Sequence, residues 1–212
     1  MFDNGYKTTT NITVIKKGNI KNPYHKSVFG VGYFGVGDYK GGNEKCYRTW
    51  YNIFIRCYSE DYKIKRPTYK DATVCEEWHN FQNFAKWFEE NYYEVGDEEM
   101  HLDKDILVKG NKVYSPETCV FVPQKINQLF VNRSRSSSLP RGVRKEWNRF
   151  KAEIKCNGNK TYLGMFSTKE EAFESYKNAK EKYIKEVAEM YNGIIPTKLY
   201  DALINYTIHI ED

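Results

Sequence analysis

The chain has 212 residues and a mass of 25.1 kDa, room for one large domain or two small ones. A hydrophobic share of 40% with 16% aromatics exceeds what a disordered chain carries, and no run reaches the roughly 18 apolar residues of a membrane helix. Lys and Arg number 33 against 28 Asp and Glu, giving net +5 and a pI near 8.7. That excess admits a polyanionic partner without demanding one.

The N-terminus, Met1-Phe2-Asp3-Asn4-Gly5, has no basic stretch leading into an apolar one, so no secretory leader and no membrane association are expected. The five cysteines, Cys46, Cys57, Cys75, Cys119 and Cys156, form no CxxC pair. Reduced thiols in a cytoplasmic protein are expected, with Cys57, Cys75 and Cys119 as small core residues and no zinc.

Residues 1–42 are polar and then glycine-rich. Gly30-Val31-Gly32-Tyr33-Phe34-Gly35 spells a dinucleotide fingerprint but lacks a framing strand, helix and acidic partner. A hairpin or extended arm with close backbone packing is expected instead. Trp50, Ile53, Phe54 and Cys57 recur at three and four, which predicts a helix over 44–58. Residues 61–71 read as a loop and Thr73–Cys75 as a short strand. Trp78, Phe81, Phe84, Ala85 and Phe88 predict a second helix over about 77–92, its aromatics being core packing. His101–Ile106 reads as a strand, Lys109-Gly110-Asn111 as a turn, and Cys119–Val122 as an apolar strand. Pro123 can open a helix at its first position, continued by Gln124–Phe130. Strand, turn, strand and helix make a ββα unit, so 43–131 is expected to be one helical and ββα domain. The serine-rich, basic segment 132–139 is expected to be a linker; its Arg133 and Arg135 are either solvated or laid in a minor groove.

Beyond the linker, Arg141–Lys145, Arg149–Cys156 and Lys160–Phe166 predict three strands, with Asn157-Gly158-Asn159 as a hairpin turn. Thr168 and Glu171 form a capping box that opens a helix running to Tyr191. Gly193 and Pro196 stop it. Leu199–Tyr206 is a last amphipathic segment, within a C-terminal piece at 193–212. The fold class is therefore α+β: a helical and ββα domain, then, over 140–192, a three-stranded antiparallel sheet on one helix.

The positive charge concentrates between Arg133 and Lys160, where only Glu146 and Glu153 are acidic. Strand alternation sends Arg149, Lys151, Glu153 and Lys155 to one face and Phe150, Ala152 and Ile154 to the other. A cationic face carrying Trp147 and Tyr162 suits phosphates and base edges. Read from charge alone, a solvated basic sheet is as good an account.

Arg141-Gly142-Val143-Arg144, Trp147, Ala152-Glu153-Ile154, Leu163-Gly164-Met165-Phe166, Thr168, Glu171-Ala172, Tyr176 and Ala179 follow in order over residues 139–191. The segment resembles the Apetala-two/ethylene-responsive-factor DNA-binding domain, whose sheet enters the major groove. The resemblance implies DNA contacts for Arg141, Arg144, Trp147, Arg149 and Lys155, and more weakly for Lys160 and Tyr162, which replace Arg and Trp. Lys145 and Lys151 join them as basic residues of the same strands. The chain is one residue short between Arg144 and Trp147, and exchanging Arg for Lys favours phosphate contact over base reading.

Leu102-Asp103-Lys104-Asp105, Gly110-Asn111, Tyr114-Ser115-Pro116-Glu117-Thr118-Cys119 and Asn127 resemble the degenerate HNH endonucleases of phages. Upstream, Trp50, Arg56-Cys57-Tyr58, Tyr69, Val74-Cys75-Glu76-Glu77-Trp78, Phe81 and Phe84 resemble the helical region of the same proteins, so the likeness spans roughly 30–130. It implies a divalent cation, Mg²⁺ or another, on Asp103 and Asn127, and phosphodiester hydrolysis. Lys104 stands where the general-base His belongs, and a Lys near its usual pKa is protonated at neutral pH. Thr118 stands where the family has Asn. His101 and Asp105 are the replacement bases, with His79 a more distant one. The competing reading makes Asp103 and Asp105 a turn-stabilising pair salt-bridged to Lys104 or Lys112, and His101 an ordinary strand residue.

The expected function is thus double-stranded DNA binding by a homing-like endonuclease or nickase of phage or mobile-element origin, working in the host cytoplasm. The alternatives are an inactive HNH-fold DNA-binding regulator, a factor acting on a host protein, and a basic protein–protein module.

Overall fold

The computed structural model describes residues 2–3, 5–18, 20–42, 44–131 and 139–211. Two compact units form, Met1–Glu94 with Leu102–Phe121, and Val95–His101 with Val122–Asp212. The linker expectation for 132–138, with its Arg133 and Arg135, lies outside the described residues. None of the described helices is long and apolar enough to cross a membrane.

In the first unit, α1 (Ile12–Lys16) is capped by Asn11, and α2 (Lys45–Tyr58) follows the glycine-rich arm. The arm is held by later residues. Tyr33 donates its backbone N–H to the His79 carbonyl and accepts from Phe81. The Gln82 carboxamide then accepts from the Tyr39 N–H and donates to the carbonyls of Phe34 and Tyr39. Gly35 sits at φ +75° where a methyl would overlap the Asn80 carboxamide, so the close approach and the dihedral both require glycine.

The region read as a loop over 61–71 contains α3 (Glu60–Lys65) and a 3₁₀ turn at Pro67–Tyr69. Ser59 caps α3, with Glu60 and Asp61 in its first turn. These polar signals replace the apolar periodicity that the helix lacks. β1 (Thr73–Val74) is followed by a 3₁₀ turn over Glu76–His79 and then α4 (Phe81–Asn91). The helix expected from residue 77 starts later because Asn80, in an extended conformation, caps it by accepting from the Gln82 N–H.

β2 (Met100–Asp103) is shorter than expected, since Asp103 turns the chain; β3 (Val113–Tyr114) pairs in parallel with β1, and β4 (Val120–Pro123) pairs with β2. Two-residue β3 was not anticipated, because so short a strand shows no period.

The first unit's core is aromatic. Trp50, Phe54, Trp78, Phe81 and Phe84 are fully buried, and the Trp50 indole donates to the Trp78 carbonyl at 2.7 Å. Trp50 lies 4.9 Å from Phe54 and 5.3 Å from Phe81 between ring centres. Of the cysteines expected in the core, Cys57 and Cys119 are buried while Cys75 is only half-buried, and all five are free thiols.

After Val95–His101 and Val122–Pro123, the second unit continues with α5 (Gln124–Phe130). Pro123 is its N-cap, one place earlier than expected. β5 (Val143–Glu146), β6 (Arg149–Cys156) and β7 (Asn159–Phe166) form the antiparallel sheet in the order 5-6-7. Asn157 and Gly158, both at positive φ, make the two-residue turn between β6 and β7. α6 (Lys169–Met190) opens on the capping box, Glu171 and Thr168 each accepting the other's backbone N–H. It covers one face of the sheet, where Ala152, Ile154, Ala172, Phe173 and Ile184 are buried. α7 (Thr197–Ile204) returns to α6 through Leu199 and Leu203. The architecture is α+β.

Replacing Trp50 by Phe removes the indole donor and leaves a void. The expected cost is about 1–3 kcal/mol, read as a lower urea midpoint at unchanged slope.

Candidate nucleic-acid interface and candidate catalytic turn

The register of the sheet sorts its basic residues. Arg144 faces Lys151, Glu146 faces Arg149, Glu153 faces Tyr162, and Lys155 faces Lys160. Directly paired residues share a face, so Arg144, Arg149, Lys151, Lys155 and Lys160 stand together with Tyr162 on the side away from α6. Lys145 is paired with Phe150 and so belongs to the opposite face, where it is exposed. Arg141 precedes β5 in a turn with Gly142 and is half-buried.

Glu153 organises this surface. Lys151 approaches it at 3.0 Å, Lys160 at 3.9 Å, and Lys151 also reaches Glu146 at 3.4 Å. The Lys151 hydrogen bond is the main influence holding the Glu153 carboxyl below its usual range, with Arg144 and Lys160 adding to it against a desolvation penalty. The Lys151 ammonium lies 5.7 Å from the Tyr162 ring centre. Arg149 donates to the Met165 carbonyl at 2.9 Å.

Trp147 occupies the tip of the β5–β6 hairpin. It is 96% exposed and at φ +54°. A bulky residue there is strained by about 1–2 kcal/mol relative to glycine, and an indole in water gives up the burial it would gain in a core. Both costs fall on one residue at the edge of the cationic face.

The turn after β2 is built differently from a cation site. Asp103 Oδ1 accepts the backbone N–H groups of Asp105 at 2.9 Å and Ile106 at 2.8 Å. Lys104 is 6% exposed, and its ammonium donates to Asp105 Oδ2 and to the Asn111 carbonyl, each at 2.8 Å. Asn111 returns two hydrogen bonds, to the carbonyls of Lys104 and Val113. Of the two carboxylates that the competing reading paired with Lys104 or Lys112, Asp105 is salt-bridged to Lys104 and Asp103 is held by backbone N–H groups. Thr118 donates to the Val113 carbonyl and shares a hydrogen bond with Ser115.

His101 Nε2 lies 4.0 Å from the Glu99 carboxylate and, among the described residues, makes no hydrogen bond. His79 is tied to the Val74 carbonyl at 3.1 Å. Asn127 is half-buried on α5. Among the described residues, no three His, Cys, Asp or Glu side chains gather as a metal-holding group. A hydrated divalent cation needs carboxylate oxygens free to turn toward it. Here one oxygen of Asp103 is taken by backbone, and Asp105 by an ammonium. Asp103 Oδ2 and Asp105 Oδ1 are the oxygens these bonds leave over for the cation that the HNH resemblance implies.

Sequence reasoning missed Asn111 as the strut of this loop and Arg56 as a half-buried cation. The first hides in a Gly-Asn pair that reads as an ordinary turn. The second lies on α2 beside Cys57, and its environment is set by residues distant in sequence.

Family models, curated proteins and solved structures contain no match to the chain.

Burial, then the neighbouring Asp105 charge, push the Asp103 carboxyl up to about 6, against the pull of its backbone donors and Lys104. A raised carboxyl favours folding below the ordinary carboxylate range and loses that contribution as pH rises through about 6. Asp103→Asn keeps the acceptor and removes the titration. Its melting temperature is therefore expected to gain on the wild type between pH 4 and 7, measured by thermal melts across that range.

Proposed function

We propose that the protein binds double-stranded DNA through the open face of the β5–β7 sheet, and that the Asp103–Asp105 turn serves the fold rather than hydrolysis. The observation that carries this reading is the gathering of Arg144, Arg149, Lys151, Lys155 and Lys160, with Tyr162, on the sheet face that α6 leaves uncovered, and the exposed Trp147 at the tip of the β5–β6 hairpin. Cations at strand spacing match a phosphate backbone, and two exposed aromatics suit sugar and base surfaces. The resemblance to the Apetala-two/ethylene-responsive-factor domain points the same way.

The HNH-type endonuclease is the less supported reading. At the position of the family's general base stands Lys104, whose ammonium is held by two acceptors; of the replacement bases, Asp105 is the ion-pair partner of that ammonium and His101 lies 4.0 Å from Glu99. A lysine ammonium carries only N–H donors, two of them engaged here, and has no lone pair to offer a water molecule. The likeness to phage HNH proteins then describes descent of a scaffold, with a regulator or a factor acting on a host system as the role.

Arg144→Ala and Arg149→Ala are each expected to weaken duplex binding roughly five- to thirty-fold and to lower the salt slope by about one. Glu153→Gln is expected to raise affinity, because it releases Lys151 and Lys160. Fluorescence anisotropy with a labelled duplex over a salt series reads all three; unchanged affinity in both Arg variants would displace the interface from this face. Plasmid incubated with Mg²⁺ or Mn²⁺ is expected to remain supercoiled, and nicking lost in Asp103→Ala would restore the enzymatic reading.

A further inference from the structure

Glu146 pairs with Arg149, so Trp147 and Asn148 form a two-residue connection beyond the last rung of the β5–β6 hairpin. The indole is 96% exposed, and among the described residues no ring contact or side-chain hydrogen bond holds it.

A second bulky residue shares its backbone state. Phe29, at φ +53°, is followed by Gly30 at φ +71° in a turn that Val31 closes by donating its N–H to the Val28 carbonyl at 3.0 Å. There the strained residue packs: its ring lies 5.9 Å from that of Tyr51 between centres. Trp147, at φ +54°, packs on nothing. Strained backbone persists where neighbours impose it or where a function uses it, and no neighbour imposes it on Trp147.

The two aromatics of the cationic side also differ. Tyr162 has the Lys151 ammonium over its ring, 5.7 Å from the centre, which leaves one face to lie on a groove wall. Both faces of the Trp147 indole are open. A ring that touches a groove edge uses one face, whereas a ring between two bases uses both. Phosphate is a poor partner for this tip, because the residue before it is the anionic Glu146. The bases remain.

Magnitudes select the kind of duplex. Stacking a base on an aromatic side chain is worth roughly five- to 150-fold in affinity, and parting two stacked bases costs about as much or more. One indole therefore gains nothing by opening a sound base step. It gains where the stack is already weakened, at a mispaired or unpaired base, because opening costs least there.

We propose that Trp147 is a wedge that inserts into the base stack, and that the duplex this protein favours carries a mismatched or unpaired base. The proposal rests on the DNA-binding reading of the sheet face and adds to it: the Apetala-two/ethylene-responsive-factor resemblance implies contact by Trp147 in the groove, not insertion.

The test uses the full chain and two labelled duplexes that differ by one central mismatch, read by fluorescence anisotropy. The wild type is expected to bind the mismatched duplex about ten-fold more tightly than the perfect one. Trp147→Ala is expected to weaken the mismatched duplex about twenty-fold and the perfect one about two-fold, which abolishes the preference, with the salt slope unchanged because no phosphate contact is lost. Trp147→Phe keeps a flat ring and is expected to retain a preference of about three-fold. Arg144→Ala/Arg149→Ala is expected to weaken both duplexes alike and keep the full preference. Trp147→Gly relieves the positive φ and is expected to raise the melting temperature while losing the preference, which separates loss of the wedge from loss of the fold. Equal affinity of the wild type for the two duplexes, a preference that survives Trp147→Ala, or a Trp147→Ala loss equal on both duplexes overturns insertion and leaves the DNA-binding face standing. No binding of either duplex sinks both.

Discussion

The packing of α6 against β6 decides the character of the second unit. Ala152 on the strand and Ala172 on the helix are both fully buried, and small side chains there let the two backbones come close. Once that face is sealed, alternation leaves the basic residues of β6 nowhere but the other side. The register is fixed at both ends by two-residue turns. A slip of one residue would drive Arg149, Lys151 and Lys155 into the helix, a cost no surface ion pair could offset. The cationic surface is thus a by-product of how the hydrophobic layer closes. Its one interior carboxylate, Glu153, spaces the ammonium groups rather than cancelling them.

The first unit answers a different physical problem. Much of its chain has little regular structure, and long irregular stretches carry backbone groups that must find partners. Side-chain amides and carboxylates supply them. Gln82 serves residues 34–39, Asn111 serves 104 and 113, and Asp103 serves 105 and 106. The residue types that would make a hydrolytic centre are therefore employed in holding loops. An Asp-Lys-Asp string has the chemistry for either use, and the hydrogen-bond partners decide between them.

Legibility in the sequence followed the strength of local signals. The capping box of Thr168 and Glu171, the Asn157-Gly158 turn and the heptad-like face of α2 each act within a few residues, and the elements they mark appear where expected. α3 escaped because its start rests on Ser59 and two acids, with Ile64 exposed and no apolar face to betray it. β1 and β3 pair across some forty residues, a match no local pattern encodes. On the sheet, alternation located Arg149, Lys151 and Lys155 on one face, and the same alternation sets Lys145 opposite its neighbour Arg144. Around Lys104 the residues were visible in the sequence and their employment was not, since donors such as Ile106 N–H and acceptors such as the Asn111 carbonyl belong to the backbone.

The Gln82 clamp has a bearing on how the polypeptide is made. The carboxamide that fixes Tyr39 lies 43 positions downstream. At about 5–20 residues per second, the ribosome takes several seconds between producing the glycine-rich arm and producing its anchor. During that interval the arm's amides are hydrated and its aromatic residues are exposed to whatever else is nascent nearby. Glycines at 30, 32, 35 and 37 keep such a segment from settling into a competing strand, so the composition that permits tight docking at the end also protects the chain while it waits.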